Sequence, residues 1–466
     1  MTLRLVRYRG EPYLWALIVG AALGVLSLVS PLIAVGLIAG VVFAALAFAR
    51  PVMLCYVLVA AVVFLSGMPR GGLVPLFIPN EPLLAAAAGF TFVVLLLRRD
   101  GRRLPNAVIA ALLFMILGTA IIPVLMYYVR DFPLSTSDIF SLVAPAQYAL
   151  IVWIFASLPR DDDDRYRIVH FMLICGSIVA AIGLLEAIRV PFVVSLIRDF
   201  YPNVHFNTAA ELGRITSIMG AWNSLGNFLM INLIMVLALH GYPSRGKWGS
   251  INLIVNLILC GAALLASGSY ASLGGLALSL VLVKTFDRRG WQIIFLLLLG
   301  MGLMGVFLQD LIVERLNYQF GSGSLVPQTL EYRFKVWNEI YLPLIAKSPL
   351  WGITPTFAGR ITWAWAESQY FYLLVRSGLV SLIAHLAYVG ILAAWAFKRF
   401  RTAFGSDMTR PLGIALFALL TVLSLMGITN EVFTNSGAVD YMWMLVGLIA
   451  AGASTGTVNA AQGRLL

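Results

Sequence analysis

Apolar runs of transmembrane length recur along almost the whole chain, and they constrain the fold more than any other feature. Most of these runs have roughly 17 to 25 residues, enough for a helix to cross a hydrocarbon core of about 30 Å. Because lipid cannot hydrogen-bond the backbone, such segments must be helices or the strands of a closed barrel. The runs lack the apolar-polar alternation of barrel strands. The sequence therefore predicts an all-α, polytopic integral membrane protein.

The composition excludes a soluble globular protein and argues against nucleic-acid binding. Hydrophobic residues make up 61% of the chain and charged residues only 11%, whereas a soluble domain has about 25% charged residues. The formal net charge is +11, but the basic residues form short clusters between apolar runs rather than one patch. Cys55, Cys175 and Cys260 lie inside apolar runs without the spacing of a zinc site.

The alternation of spans predicts the orientation. We predict about fourteen membrane spans, with about twelve as the lower alternative. They lie at 13–29, 31–48, 51–67, 82–97, 106–129, 138–158, 168–188, 216–239, 250–267, 270–283, 291–309, 369–397, 411–427 and 441–456. Alternation puts the basic clusters around residues 4–9, 98–103, 160–167, 245–247, 284–289 and 398–401 on one side. Because Lys and Arg favour the cytoplasmic side, we expect both termini in the cytoplasm of a bacterial inner membrane.

The longest predicted outer segment divides the chain into three parts. These are an N-terminal transmembrane bundle at 1–309, a large periplasmic loop at 310–368 and C-terminal transmembrane helices at 369–466. The loop interleaves aromatic residues such as Trp337 with charged residues such as Arg333, Arg360 and Glu367. Aromatic faces cover the apolar face of a sugar, while charges bind hydroxyls or phosphate. The alternative is an amphipathic cap whose aromatic residues anchor it at the interface.

Metal or cofactor chemistry has little support in the sequence. The run Asp161 to Asp164 could hold a metal through hard oxygen ligands, but it is flanked by arginines in a short predicted cytoplasmic loop. Glycine-rich phosphate loops, zinc spacings and nucleophile elbows are missing. The four histidines do not cluster, and we expect His385 to make an interhelical hydrogen bond. Glu186, near the outer end of its span, has Arg189 as a candidate partner.

Arg214 stands at the predicted outer mouth of a span. A guanidinium binds phosphate oxygens bidentately, which suits a lipid diphosphate whose tail stays in the bilayer. The alternative is an arginine that snorkels to the interface. Polar Asn223 and Asn227 follow within the span, together with Gly220 and Gly226. Such residues let helices approach closely or line a polar cavity, and they favour the first interpretation.

Several stretches together resemble the O-antigen ligase and O-antigen polymerase family of bacterial membrane glycosyltransferases. The resemblance covers residues 130–400. In order, the stretches are Asp138 to Leu158, Gly183 to Glu186, Arg214 with Trp222 to Gly226, Ser267 to Gly274, Glu331 to Trp337, Ser348 to Ile353, Gln369 with Tyr370, and Arg376 to Leu379.

Two departures from the family favour polymerase over ligase. Ligases of this family carry a His-Asn pair at the end of the large loop, where this chain has Glu367 and Ser368. Many members have Ser-Arg where this chain has Ser269 and Tyr270. One phosphate-binding arginine of the family is therefore replaced.

The resemblance implies a GT-C type enzyme that needs no metal or cofactor. Its donor would be an undecaprenyl-diphosphate-linked glycan, and its acceptor another glycan or a lipid such as lipid A-core. A chain-length regulator is a further candidate partner. A base must take the proton of the acceptor hydroxyl, and cations must stabilise the departing diphosphate. Glu367 is the predicted base, and the predicted substrate-binding residues are Arg214, Asn223, Arg333, Trp337, Arg360 and Tyr370.

A lipid-linked-oligosaccharide flippase is the alternative of another class. Such transporters also have about fourteen spans, but they tend to show internal repeats and charges near the bilayer midplane. This chain has no convincing repeat, few midplane charges and one asymmetric outer loop. We therefore favour the enzyme.

Overall fold

The structure is a computed structural model. It describes residues 48–72, 77–98, 103–131, 136–201, 213–240, 247–287, 291–307, 326–354, 366–403, 408–435 and 437–462, with residues 242, 309, 313 and 317. Residues 1–54 and residues 55–466 form two compact units. The second unit contains nearly all of the described residues.

The described residues are helical or in turns and contain no β-strand. The helices are α1 (Met53–Leu65), α2 (Asn80–Arg98), α3 (Asn106–Val129), α4 (Thr136–Ser157), α5 (Asp162–Ala187), α6 (Pro191–Phe200), α7 (Trp222–Leu239), α8 (Lys247–Ser267), α9 (Tyr270–Phe286), α10 (Trp291–Phe307), α11 (Gln328–Val336), α12 (Leu342–Lys347), α13 (Gln369–Thr402), α14 (Thr409–Met426) and α15 (Ala438–Gln462). Helix α3 contains a π-helical turn at Leu117–Ile121, and a second π-helical turn at Trp337–Tyr341 joins α11 to α12.

The helices confirm an all-α membrane protein. Among the described residues, eight helices are long and apolar enough to cross a bilayer: α2, α3, α4, α5, α7, α8, α13 and α14. Shorter apolar helices include α1, α9 and the first part of α15. The predicted spans at 13–29 and 31–48 lie outside the described residues, apart from residue 48. The total of fourteen, the GT-C class and the extent of the periplasmic loop stay predictions.

Helix α7 lies at the centre of the second unit. In the most apolar 18-residue stretch of α7, 83% of the residues are buried. The corresponding share in α2 is 28%. Small residues let the neighbouring helices approach it, as expected where lipid supplies no hydrophobic drive for helix association. A Cβ on Gly176 of α5 would clash with the Asn232 side chain of α7, and one on Gly275 of α9 would crowd the Met230 sulfur.

The helix ends form two groups. At one end, the Nη1 of Arg165 donates to the Oγ1 of Thr409 at 2.9 Å, which ties the start of α5 to the start of α14. The acidic run lies here, and Asp161 caps α5 by accepting a hydrogen bond from the amide of Asp164 at 2.8 Å. The other end, which we call the site end, contains the end of α5 and the starts of α7, α13 and α15. The compartments that the two ends face stay a prediction.

Helix α13 is broken at Ser377 and Gly378. Gly378 has φ = +69°, a left-handed conformation that glycine adopts without steric cost. A Cβ at Gly378 would also clash with the carbonyl of Leu350. The segment after α12 crosses the helix here, since the amide of Leu379 donates to the carbonyl of Pro349 at 2.9 Å. The break therefore docks the large loop against the transmembrane bundle.

Candidate functional site

The described part of the large loop folds onto the start of α13. Pro327 precedes the first turn of α11, where its missing N–H has no helical partner to lose. The π-helical turn then carries Trp337 and Tyr341, which are 8% and 0% exposed. Their rings pack with Ala366 and Val375 in one small core. This core holds the loop at the junction with the bundle.

Arg333, Trp337 and Glu367, all predicted from the sequence, meet at this junction. The Nε of Arg333 lies 3.3 Å from the Oε2 of Glu367 in a partly exposed ion pair. The indole Nε1 of Trp337 donates to the carbonyl of Ala366 at 2.8 Å. The Trp337 ring therefore supports the turn from inside, while the neighbouring ring of Tyr332 is 40% exposed.

The backbone at this turn is unusual. Glu367 has φ = +52°, a left-handed conformation that is uncommon for residues other than glycine. The next residue, Ser368, caps α13 by accepting from the amide of Phe371. The amide of Gln369 donates to the carbonyl of Gly427 at 2.8 Å. The start of α13 is thus held against the loop between α14 and α15.

Glu431 lies in that loop and contacts the turn directly. Its Oε1 accepts from the amide of Ala366 at 2.6 Å and from the amide of Glu367 at 3.2 Å. Burial raises the pKa of the Glu431 carboxyl, these hydrogen bonds lower it and the nearby Glu367 carboxylate raises it, with a net result of about 7. Burial likewise raises the pKa of Tyr341, with a contribution from both carboxylates. The turn therefore carries two neighbouring acidic groups in different environments.

Tyr370 is attached to the neighbouring helix. Its hydroxyl donates to the carbonyl of Ser424 in α14 at 2.5 Å. Its ring meets His385 edge-on at 6.4 Å. His385 is buried, and its described contacts are with the rings of Tyr370, Tyr388 and Phe433. The expected interhelical hydrogen bond of His385 is therefore missing among the described residues.

Arg214 lies beside the start of α7, also at the site end. Its guanidinium carbon is 4.9 Å from the centre of the Trp222 ring, a distance that allows cation–π attraction. The segment after Arg214 is anchored by Glu186, whose Oε2 accepts from the amide of Ser217 at 2.6 Å. Glu186 accepts a hydrogen bond from this amide rather than pairing with Arg189. The reason is that its carboxylate, at the end of α5, faces the backbone that crosses there. Asn223 is half-buried in the first turn of α7.

The loop between α14 and α15 links the start of α7, beside Arg214, to the Glu367 turn. At one point Glu431 binds the amides of the turn. Four residues later, Asn435 accepts from the hydroxyl of Ser224, next to Asn223, at 3.2 Å. Segments far apart in the sequence are thereby joined at one end of the bundle.

A polar cluster joins α7 to the start of α9 at the same end. The hydroxyl of Ser272 donates to the Oδ1 of Asn227 at 2.9 Å and lies 2.8 Å from the hydroxyl of Ser269. Gly226 makes room for Ser269, since a Cβ on it would touch that side chain. The side chain of Tyr270 is 44% exposed. The motif stretch Trp222 to Gly226 is therefore in direct contact with the motif stretch Ser267 to Gly274.

Comparison with known protein families and curated proteins gives no match. No family model matches the chain, and no curated protein matches it in sequence. The resemblance to the ligase and polymerase family therefore depends on the sequence motifs alone. The functional proposal depends on the chemistry of the site.

Arg360, the remaining predicted residue, lies outside the described residues. Within the described part of the chain, no group of three His, Cys, Asp or Glu residues could hold a metal ion. Sequence reasoning gave Glu431, together with Glu339, only as an alternative should Glu367 not be the base. Its signal was weak: one of 21 acidic residues, placed in a short connection on the same predicted outer side as Glu367. Only its contact with the turn distinguishes it.

Proposed function

We propose that this chain is a membrane glycosyltransferase that polymerises undecaprenyl-diphosphate-linked oligosaccharide repeats. One observation carries the proposal. A carboxylate and a guanidinium, Glu367 and Arg333, are paired at 3.3 Å where a loop containing aromatic residues joins a membrane helix. An acceptor sugar in water and a donor diphosphate at the membrane surface would meet at such a junction.

The reaction assigns each group a task. The acceptor hydroxyl oxygen forms a bond to the anomeric carbon of the donor, and the bond from that carbon to the diphosphate oxygen breaks. Glu367 takes the hydroxyl proton as general base. Arginines stabilise the negative charge that develops on the leaving diphosphate. Arg333, beside the base, takes this task, with Arg214 and Arg360 as the further cations.

The aromatic residues divide into supporting and accessible rings. Trp337 and Tyr341 are buried in the core of the junction, whereas Tyr332 is 40% exposed on α11. An exposed ring next to a carboxylate suits the apolar face of a sugar. Within this group, Tyr332 is the ring that we expect to contact the glycan, and Trp337 keeps the turn in place.

Reconstitution into liposomes tests the proposal. Purified protein is supplied with a synthetic undecaprenyl-diphosphate-linked oligosaccharide, and the lipid-linked products are analysed by mass spectrometry. A ladder spaced by the mass of one repeat is the expected result. Transfer of one glycan only to an added lipid acceptor would indicate a ligase. Movement of the lipid-linked glycan across the bilayer without a new glycosidic bond would replace the enzyme by a transporter.

A matched pair of variants connects the reaction to the site. Glu367→Gln removes the proposed base, whereas Glu331→Gln changes an exposed carboxylate on α11. The ladder should disappear in the first variant and persist in the second. Equal ladders in both variants would separate polymerase activity from the Glu367 site.

A further inference from the structure

The conformation of Glu367 requires support from its surroundings. A left-handed backbone at a residue with a side chain is strained and persists only where neighbouring groups over-determine it. Ser368 follows immediately and caps the start of α13. The turn is therefore a point at which a small loss of contacts would let the Glu367 side chain move.

A single oxygen of Glu431 provides that support. The amides of Ala366 and Glu367 are consecutive, and both donate to its Oε1, at 2.6 and 3.2 Å. Consecutive backbone N–H groups converge when the second of the two residues is left-handed, and the resulting concavity binds anions. In this protein the carboxyl group of Glu431 occupies the concavity. It comes from a loop 64 residues further along the chain.

Two further contacts hold the same turn from other directions. Trp337 donates to the carbonyl of Ala366, and Arg333 holds the carboxylate of Glu367. The amide of Phe433, two residues after Glu431, donates to the Oε1 of Gln369 at 3.1 Å. Glu431 is therefore attached to a loop that is itself bonded to the start of α13, so its position is defined.

We propose that Glu431 is a positioning residue that fixes the Glu367 carboxylate for proton transfer, an inference that rests on the proposed function. It acts through the backbone of the turn rather than by touching the substrate. The ionisable groups that face it are Glu367 and Tyr341, both of which interact with it electrostatically.

Hydrogen exchange measured by mass spectrometry tests the contact without any assay of activity. In Glu431→Ala, the amides of Ala366 and Glu367 should exchange roughly tenfold faster or more, because both acceptor bonds are lost. In Glu431→Gln an acceptor oxygen remains, so protection should stay near that of the wild type. Glu339→Gln, at an exposed carboxylate on the π-helical turn, is the matched control and should leave both amides unchanged. Unchanged exchange in a folded Glu431→Ala protein would overturn the inference.

Kinetics then tests the consequence for catalysis. A misplaced base should lower kcat roughly a hundredfold in Glu431→Ala while KM for the lipid-linked donor changes little. Glu431→Gln should restore most of that loss. If Glu431→Ala fails to fold, Glu431→Gln alone decides: protected amides with a hundredfold loss of kcat would make Glu431 a reacting group and overturn the positioning role. Absence of polymerisation by the wild type would instead reject the proposed function and leave the exchange result standing.

Discussion

Arg333 and Glu367 form an ion pair of 3.3 Å between helix α11 of the large loop and the turn that starts α13. The side chains retain 22% and 28% of their exposure. A pair this exposed contributes only about 0 to 1 kcal/mol to stability. Its effect is therefore on geometry, since it orients a carboxylate towards the place where the loop meets the bundle.

The first prediction concerns the base. Glu367→Gln keeps the shape of the side chain but removes its basic group, so turnover should fall by roughly 10² to 10⁴ while donor binding is retained. Initial rates of ladder formation and donor binding by the purified protein measure the two effects. Near-normal turnover would leave Glu367 as a solvated charge.

The second prediction concerns the arginine beside Trp222. Arg214→Lys keeps the charge but loses the planar fork, so activity should fall, and Arg214→Ala should lower it further, by roughly ten- to a hundredfold. Arg198→Ala is the control, because Arg198 is exposed and pairs with the adjacent Asp199. If Arg214→Ala turned over as fast as Arg198→Ala, Arg214 would be an interface anchor.

The third prediction is a pH dependence of stability. Because burial raises the pKa of Glu431 from 4.5 to about 7, folding favours its neutral form. The resulting stabilisation is fully present below the ordinary pKa and is lost as pH rises through about 7. Relative to Glu431→Gln, the wild type should therefore lose on the order of 3 kcal/mol between pH 4.5 and pH 8. Unfolding of both proteins in detergent across this range tests it, and parallel curves would contradict the assigned burial.

The fourth prediction concerns the break in α13. Gly378→Ala places a Cβ against the Leu350 carbonyl at a left-handed position, so it should lower the free energy of unfolding by about 1 to 3 kcal/mol. Gly390, later in the same helix, has open space around its Cβ position. Gly390→Ala should be neutral or stabilising by about 0.5 to 1 kcal/mol. Thermal unfolding compares the pair, and equal shifts would remove the role of Gly378 in docking the loop.

The fifth prediction is topological. Asn338 on the loop and Thr402 at the end of α13 are exposed near opposite ends of the bundle. Single cysteines at these positions, in a background without Cys55, Cys175 and Cys260, should differ in labelling by a membrane-impermeant thiol reagent on cells with a permeabilised outer envelope. We expect labelling of Asn338→Cys only. Labelling of Thr402→Cys only would invert the orientation and exclude an outer-face reaction.

The sequence by itself determined the all-α membrane class and most helix positions. Apolar runs of sufficient length have no other stable conformation in lipid, so spans such as 106–129 and 369–397 match α3 and the apolar part of α13. It also pointed to Arg333, Trp337 and Glu367, since charges and aromatic rings stand out after a long apolar background. Their roles in a reaction stay predictions.

Only the tertiary structure decided which of these residues share a turn. Glu431 binds amides 64 and 65 residues away, and a hydrogen bond between backbone and a remote side chain leaves no periodic signal in the sequence. The pattern also could not tell that Trp337 is buried while Tyr332 is exposed, because burial in the loop depends on contacts with Ala366 and Val375. Local residue pattern sets each helix, whereas packing between distant segments sets the site.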